Sequence, residues 1–174
     1  MHRVIVLVFS FIAAAAIVGL ADPSAAYGAA APQKPISGCV NQALTNGLWN
    51  LKVTEAKLTT LPDSATPAWA VTFAFGNAGS AAAMPNDLGV AQPQLWLADG
   101  TTLDMTTDSE LKYQRAISMV TLRPGFMKTG TYYYVPDDPA TKATAFDFPV
   151  AYSASYGYRM KNPGFNVDLT CKKP

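Results

Sequence analysis

Histidine is nearly missing from this chain: the one copy, His2, sits in the second position of a segment that reads as an export leader. Once that leader is removed, no Ser-His-Asp or Cys-His arrangement can be assembled. Histidine-based zinc and blue-copper sites are excluded for the same reason. Cysteine is limited to Cys39 and Cys171, so a C-x-x-C redox motif is absent. Glutamate occurs only as Glu55 and Glu110, which leaves little material for a glycosidase pair of carboxyl groups. Only 14% of the residues are charged and the formal net charge is +1. No basic run or stripe marks a nucleic-acid or anionic-membrane partner. A sustained helical period is lacking too; Thr107–Gln114, around Leu111, is the only stretch that reads as a short helix.

What is present begins with the leader. Met1-His2-Arg3 is followed by an uncharged apolar run from Val4 to Ala21, then Asp22 and Pro23, which is the order of a secretory signal peptide. Ser24-Ala25-Ala26 supplies small side chains for a signal peptidase, so cleavage is expected after Ala26, with Ala21 and Ala30 as alternatives. The mature chain would start near Tyr27. Retention as an uncleaved anchor is the competing reading, because the apolar run approaches the roughly 17–20 residues that span a bilayer. Ile36-Ser37-Gly38-Cys39 also resembles a lipobox, but Pro32, Gln33, Lys34 and Pro35 separate it from the apolar run, and lipidation would leave Cys171 unpaired. A secreted, periplasmic or cell-surface location follows, with no membrane span after cleavage.

Cys39 and Cys171 lie near the two ends of the exported part and are expected to pair. In the chain-entropy model, closing so long a loop contributes about 5 kcal/mol. Residues 27–38, rich in Ala, Pro, Gly and Gln, read as a flexible lead-in, and residues 39–174 as one domain.

Within that domain, period-two alternation dominates. Trp49, Leu51 and Val53 form one phase of a half-buried strand; Trp69, Val71, Phe73 and Phe75 form the clearest core strand. Gln94–Ala98 runs into Asp99-Gly100, with Thr101–Met105 returning as a hairpin partner. Ala116–Leu122 reads as a further strand, stopped by Arg123-Pro124-Gly125. Thr131–Val135 places Tyr132 and Tyr134 on one face and Tyr133 and Val135 on the other. Phe146 and Phe148 open another strand, and Tyr156–Met160 and Phe165–Cys171 close the chain. About eight short strands with one-sided apolar faces make an all-β, two-sheet antiparallel sandwich.

The ordered series Leu48-Trp49-Asn50-Leu51-Lys52-Val53, Trp69 through Gly79, Leu95-Trp96-Leu97-Ala98-Asp99-Gly100, Leu122-Arg123-Pro124-Gly125 and Tyr133-Tyr134-Val135-Pro136 resembles the exported immunoglobulin-like domains of unknown function. That group is related to the mycobacterial immunoprotective extracellular antigen. The resemblance covers residues 48–148 and implies a secreted or surface-attached immunoglobulin-like sandwich with no established enzymatic role. The cysteine bracket and the aromatic-rich end after Tyr152 depart from its simplest pattern.

Asp99, Asp104 and Asp108 cluster around the hairpin without the spacing of a D-x-D-x-D-G calcium loop and read as solvated turn residues. Asp137-Asp138-Pro139 reads as a turn. Met84, Met105, Met119, Met127 and Met160 are too scattered for a copper(I) motif. No cofactor is expected. The candidate ligand surface is aromatic: Tyr132 with Tyr134, and Tyr156 with Tyr158, each pair on one strand face. The functional expectation is a non-enzymatic binding domain for a protein or envelope component; the alternative is a carbohydrate-binding module that uses the tyrosines as a platform.

Overall fold

Alternating apolar residues bury one face of each strand, and the computed structural model shows where those faces go. It describes residues 34–85, 92–106, 117–149 and 164–173. Among the described residues there are nine strands: β1 (Ile36–Val40), β2 (Leu44–Thr45), β3 (Trp49–Thr60), β4 (Pro67–Asn77), β5 (Gln94–Leu97), β6 (Thr102–Asp104), β7 (Met127–Tyr134), β8 (Ala143–Phe148) and β9 (Phe165–Lys172). They form a five-stranded sheet in the order β1-β9-β8-β5-β6 and a four-stranded sheet in the order β2-β3-β4-β7.

The sheets meet through aromatic rings. Phe73 of β4 contacts Tyr132 of β7 within its own sheet, and Phe146 and Phe148 of β8 across the interface, at centroid distances of 5.0, 5.5 and 5.6 Å. Phe75 stacks on Trp49 at 5.1 Å and on Phe148 at 4.7 Å. Such offset and edge-on pairs add about 0.5–1.5 kcal/mol each beyond the apolar area they bury. Leu51, Val53, Val71, Leu95, Phe165 and Val167 complete the buried layer, as their alternation predicts. Trp69 keeps the phase of Val71 but is only half-buried. It faces Leu58 on β3, where the β3–β4 hairpin runs beyond a register shift between Val53 and Glu55 and its outer half turns to solvent.

Asn77 closes β4. It is fully buried, and its Nδ2 donates to the carbonyls of Ala81 (2.7 Å) and Leu122 (2.9 Å) while Oδ1 accepts from the Gly79 N–H (2.8 Å). One side chain thus satisfies three backbone groups that burial would otherwise leave costly. Gly125, at φ +77°, lets the Arg123–Phe126 segment turn back with Phe126 N–H on the Arg123 carbonyl, the geometry of a type II turn.

Several expectations need correction. The lead-in assigned to residues 27–38 is strand from Ile36 onward, because β1 pairs through its backbone with β9 and needs few apolar side chains to do so. That pairing is parallel, so the sheets are not wholly antiparallel. In its described part, Ile117–Leu122, the stretch expected as a strand is not one: Ile117–Met119 makes a short 3-10 turn, and Leu122 forms a single bridge with Ala83. Phe146 and Phe148 end β8 rather than open a strand. The leader, residues 107–116, and Tyr156–Met160 lie outside the described residues. Among the described residues, no helix is long and apolar enough to cross a membrane.

Cys39 and Cys171 are joined in a disulfide across a sequence separation of 132, linking neighbouring strands β1 and β9. With both sulfurs bonded, Cys39 has no thiol to carry a lipid.

Candidate functional site

The tyrosines expected to form a platform do not. Tyr132 and Tyr134 are 1% and 0% exposed, with Tyr132 against Phe73 and Tyr134 against Phe146. Their hydroxyls reach backbone partners inside the sandwich: Tyr132 Oη accepts from the Ile117 N–H at 3.3 Å, and Tyr134 donates to the Pro93 carbonyl at 3.2 Å. A tyrosine can be buried this way because the apolar ring fills the core while its one polar atom finds a partner. The face they share is the inward one, so the platform reading fails for this pair. Tyr156 and Tyr158 lie outside the described residues.

An exposed aromatic residue does sit on another strand. In β5, Leu95 and Leu97 point inward and are buried, which turns Gln94 and Trp96 to the outer face of the five-stranded sheet. Trp96 is 38% exposed. Its Nε1–H donates to Asp147 Oδ2 of β8 at 2.7 Å, and Asp147 Oδ1 in turn accepts from Asn166 Nδ2 of β9. On the other flank, Gln94 Nε2 donates to Asp104 Oδ1 of β6 at 3.0 Å.

Strand register explains this convergence. Gln94 lies opposite Asp104 on β6 and Asp147 on β8, and Asp147 lies opposite Asn166 on β9. Four consecutive strands therefore place Asp104, Gln94, Asp147 and Asn166 in one row. The adjoining row carries Thr102, Trp96, Ala145 and Asp168. Gly100, at φ +87°, makes the turn that brings β6 alongside, and Asp99 Oδ1 accepts from the Thr101 N–H within it. Hydrogen bonds from Thr101 hold the Asp99 carboxyl below the usual carboxylate range. Hydrogen bonds from the Thr170 hydroxyl and N–H do the same for Asp168. The surface so built has an indole, carboxylate acceptors and carboxamides that both donate and accept.

The alternation of β5 is legible in the chain, and Trp96 is the site residue absent from the tyrosine expectation. The signal was present: a tryptophan between two leucines in strict alternation must face away from whatever the leucines face.

A second feature lies at the Asn77 end. An open cleft of about 520 Å³ is lined, among the described residues, by Leu48, Gly79, Ser80, Ala81, Ala82, Ala83, Met84 and Thr121. Phe126 and Met127 stand exposed on the neighbouring turn, at 62% and 48%. The described part of the cleft lining is mostly apolar and can take apolar matter.

The remaining candidates are dispersed. Glu55 pairs with Lys57 at 2.8 Å on the exposed hairpin. Asp138 closes a turn, accepting from the Ala140 N–H and the Thr141 hydroxyl. Met105 is in the core, whereas Met119 and Met127 are exposed. Among the described residues, no three His, Cys, Asp or Glu side chains gather as a metal site.

No protein-family model matches the chain, and no curated protein matches its sequence. Solved structures do match. The secreted protein MPT63 of Mycobacterium tuberculosis superposes with a TM-score of 0.51 at 17% identity, over 78% of this chain and 98% of that one. The yjhA protein of Bacillus subtilis gives 0.51 at 16% identity over 77% and 98%. An uncharacterized β-sandwich protein of Clostridium difficile gives 0.51 at 10% identity over 80% and 97%. At these identities the likeness is one of fold, and it agrees with the resemblance carried by the core residues: the chain is a β-sandwich built on the same plan as secreted MPT63.

Proposed function

We propose that this chain is an exported, non-enzymatic immunoglobulin-like domain that binds a component of the cell envelope through the outer face of its five-stranded sheet. The observation that carries the reading is Trp96, a large aromatic residue in the middle of a polar sheet face, oriented by a hydrogen bond to a carboxylate that is itself held by Asn166. A lone exposed hydrophobic residue is ordinary. One whose polar edge is fixed by a chain of side chains on two further strands is preorganised, and preorganisation lowers the entropy cost of binding. Export is supported by the leader-like first 26 residues and by the disulfide, which persists in oxidising compartments. A non-enzymatic role is supported by the carboxylates of Asp99 and Asp138, which are engaged in turns.

The test is retention. The full chain, expressed with its leader, is fractionated, and the N-terminus of the exported form is sequenced; a start at Tyr27 is expected. Labelled mature domain is then bound to isolated envelope. Trp96→Ala should abolish retention, and Phe126→Ser with Met127→Ser should leave it intact. The opposite pattern moves binding to the apolar end of the molecule and overturns the assignment of the face.

A further inference from the structure

Which ligand chemistry suits the Trp96 face is decided by the groups around the indole. We infer that the face is a saccharide-binding site, taking a neutral sugar whose ring stacks on Trp96 and whose hydroxyls bond to the row Asp104, Gln94, Asp147 and Asn166. This rests on the reading of the outer sheet face as the binding surface and names the class of its ligand.

A pyranose ring presents C–H groups on its faces and hydroxyls around its rim. It therefore needs a flat apolar surface beside groups that accept, or both donate and accept, hydrogen bonds. The Trp96 face supplies both within adjacent rows of one sheet. Ala145, directly opposite Trp96 on β8, carries only a methyl group. Asp147 and Asp104 each spend one hydrogen bond or two on neighbouring N–H donors, yet a carboxylate has about four lone-pair positions, so both retain acceptor capacity for hydroxyls. The polar row crosses four strands and is about 14 Å long at ordinary strand spacing, enough for more than one sugar ring.

The competing chemistries fit less well. Single-stranded nucleic acid also stacks on aromatic rings, but its phosphates would meet Asp104, Asp147 and Asp168 rather than a basic groove. A quaternary ammonium or guanidinium could lie over the indole. It would find carboxylates but leave the Gln94 and Asn166 carboxamides without a matching role. An acidic sugar would meet like charge.

The experiment follows the indole N–H resonances of the mature disulfide-bonded domain, which has Trp49, Trp69 and Trp96, as cellotetraose, mannotetraose or chitotetraose is added, with choline and an arginine-rich peptide as separate arms. Movement of the Trp96 resonance with a tetrasaccharide is expected. Trp96→Ala should weaken binding by at least about tenfold, while Trp96→Tyr should retain about a third of the affinity or more. Gln94→Ala combined with Asn166→Ala should weaken it about threefold to tenfold, with thermal midpoints confirming that each variant folds. Saccharide binding that is indifferent to Trp96→Ala overturns the site. A Trp96-dependent response to choline or the peptide alone overturns the ligand class. Silence with every tetrasaccharide, while envelope retention still requires Trp96, overturns the saccharide and leaves the binding face standing; silence together with retention indifferent to Trp96 overturns both.

Discussion

Strands β7 and β5 each carry conspicuous aromatic residues in period-two alternation, and they turn them to opposite sides. In β7, Tyr132 and Tyr134 point into the sandwich and are buried. In β5, Trp96 points out, because Leu95 and Leu97 take the inward positions. Alternation determines which residues share a face, but not which face is inside. The side is decided by what each strand packs against: β7 lies beside β4, whose Phe73 packs against the Tyr132 ring, whereas among the described residues the outer face of β5 has Thr102, Asp104, Ala145 and Asp147 of β6 and β8 beside it.

The sharpest way to break this contrast is to truncate the inward residue. Tyr134→Ala removes a ring packed on Phe146 and leaves the Pro93 carbonyl without its hydroxyl donor. A loss of about 3–5 kcal/mol is expected in a denaturant titration, and a loss below 1 kcal/mol would mean that Tyr134 is not in the core. A finer cut is Tyr132→Phe, which keeps the ring but withdraws the oxygen that accepts from Ile117. About 1 kcal/mol should be lost, with hydrogen exchange at the Ile117 amide speeding up.

The outward residue should behave differently. Trp96→Ala is expected to cost about 1 kcal/mol or less in stability, since the ring is partly solvated and only the bond to Asp147 is forfeited. A larger loss of cooperativity than Tyr134→Ala would reverse the comparison. The smallest effect concerns pH. Asp168, on the same outer face, and Asp99, in the β5–β6 turn, have carboxyl groups held below their ordinary value of 3.8. Their contribution is therefore present above about pH 4 and is lost as pH falls through the lowered native value. Asp99→Asn with Asp168→Asn should flatten the acid side of the stability curve below about pH 4, slightly because both groups are exposed. An unchanged acid slope would show that the Thr101 and Thr170 hydrogen bonds do not persist in solution.

Much of the sandwich was legible in the chain. Trp49, Leu51, Val53, Val71, Phe73, Phe75, Phe165 and Val167 announced their inward phase, and Asp99-Gly100 and Pro124-Gly125 announced their turns. Less legible was β1, whose Ser37 and Gly38 say nothing of a strand until β9 arrives from the far end of the chain. The role of Asn77 was hidden as well: an asparagine at a strand end looks like a turn residue, and only the approach of Leu122 and Ala81 makes it a buried clasp.

The candidate site divides along the same line. That Trp96 should face away from Leu95 and Leu97 follows from strand geometry alone. That Asp104, Gln94, Asp147 and Asn166 stand in one row does not, because they come from four strands whose order, β6-β5-β8-β9, departs from their order in sequence. The sequence by itself determined the local matters: strand phase, turn positions, two cysteines able to pair, and the lack of histidine outside the first residues. The tertiary structure alone decided the non-local ones: the parallel seam of β1 with β9, the burial of the tyrosines, and the polar row beside Trp96. Each of these depends on which distant strand becomes a neighbour, a choice made by the packing of the whole core and not by any stretch within it.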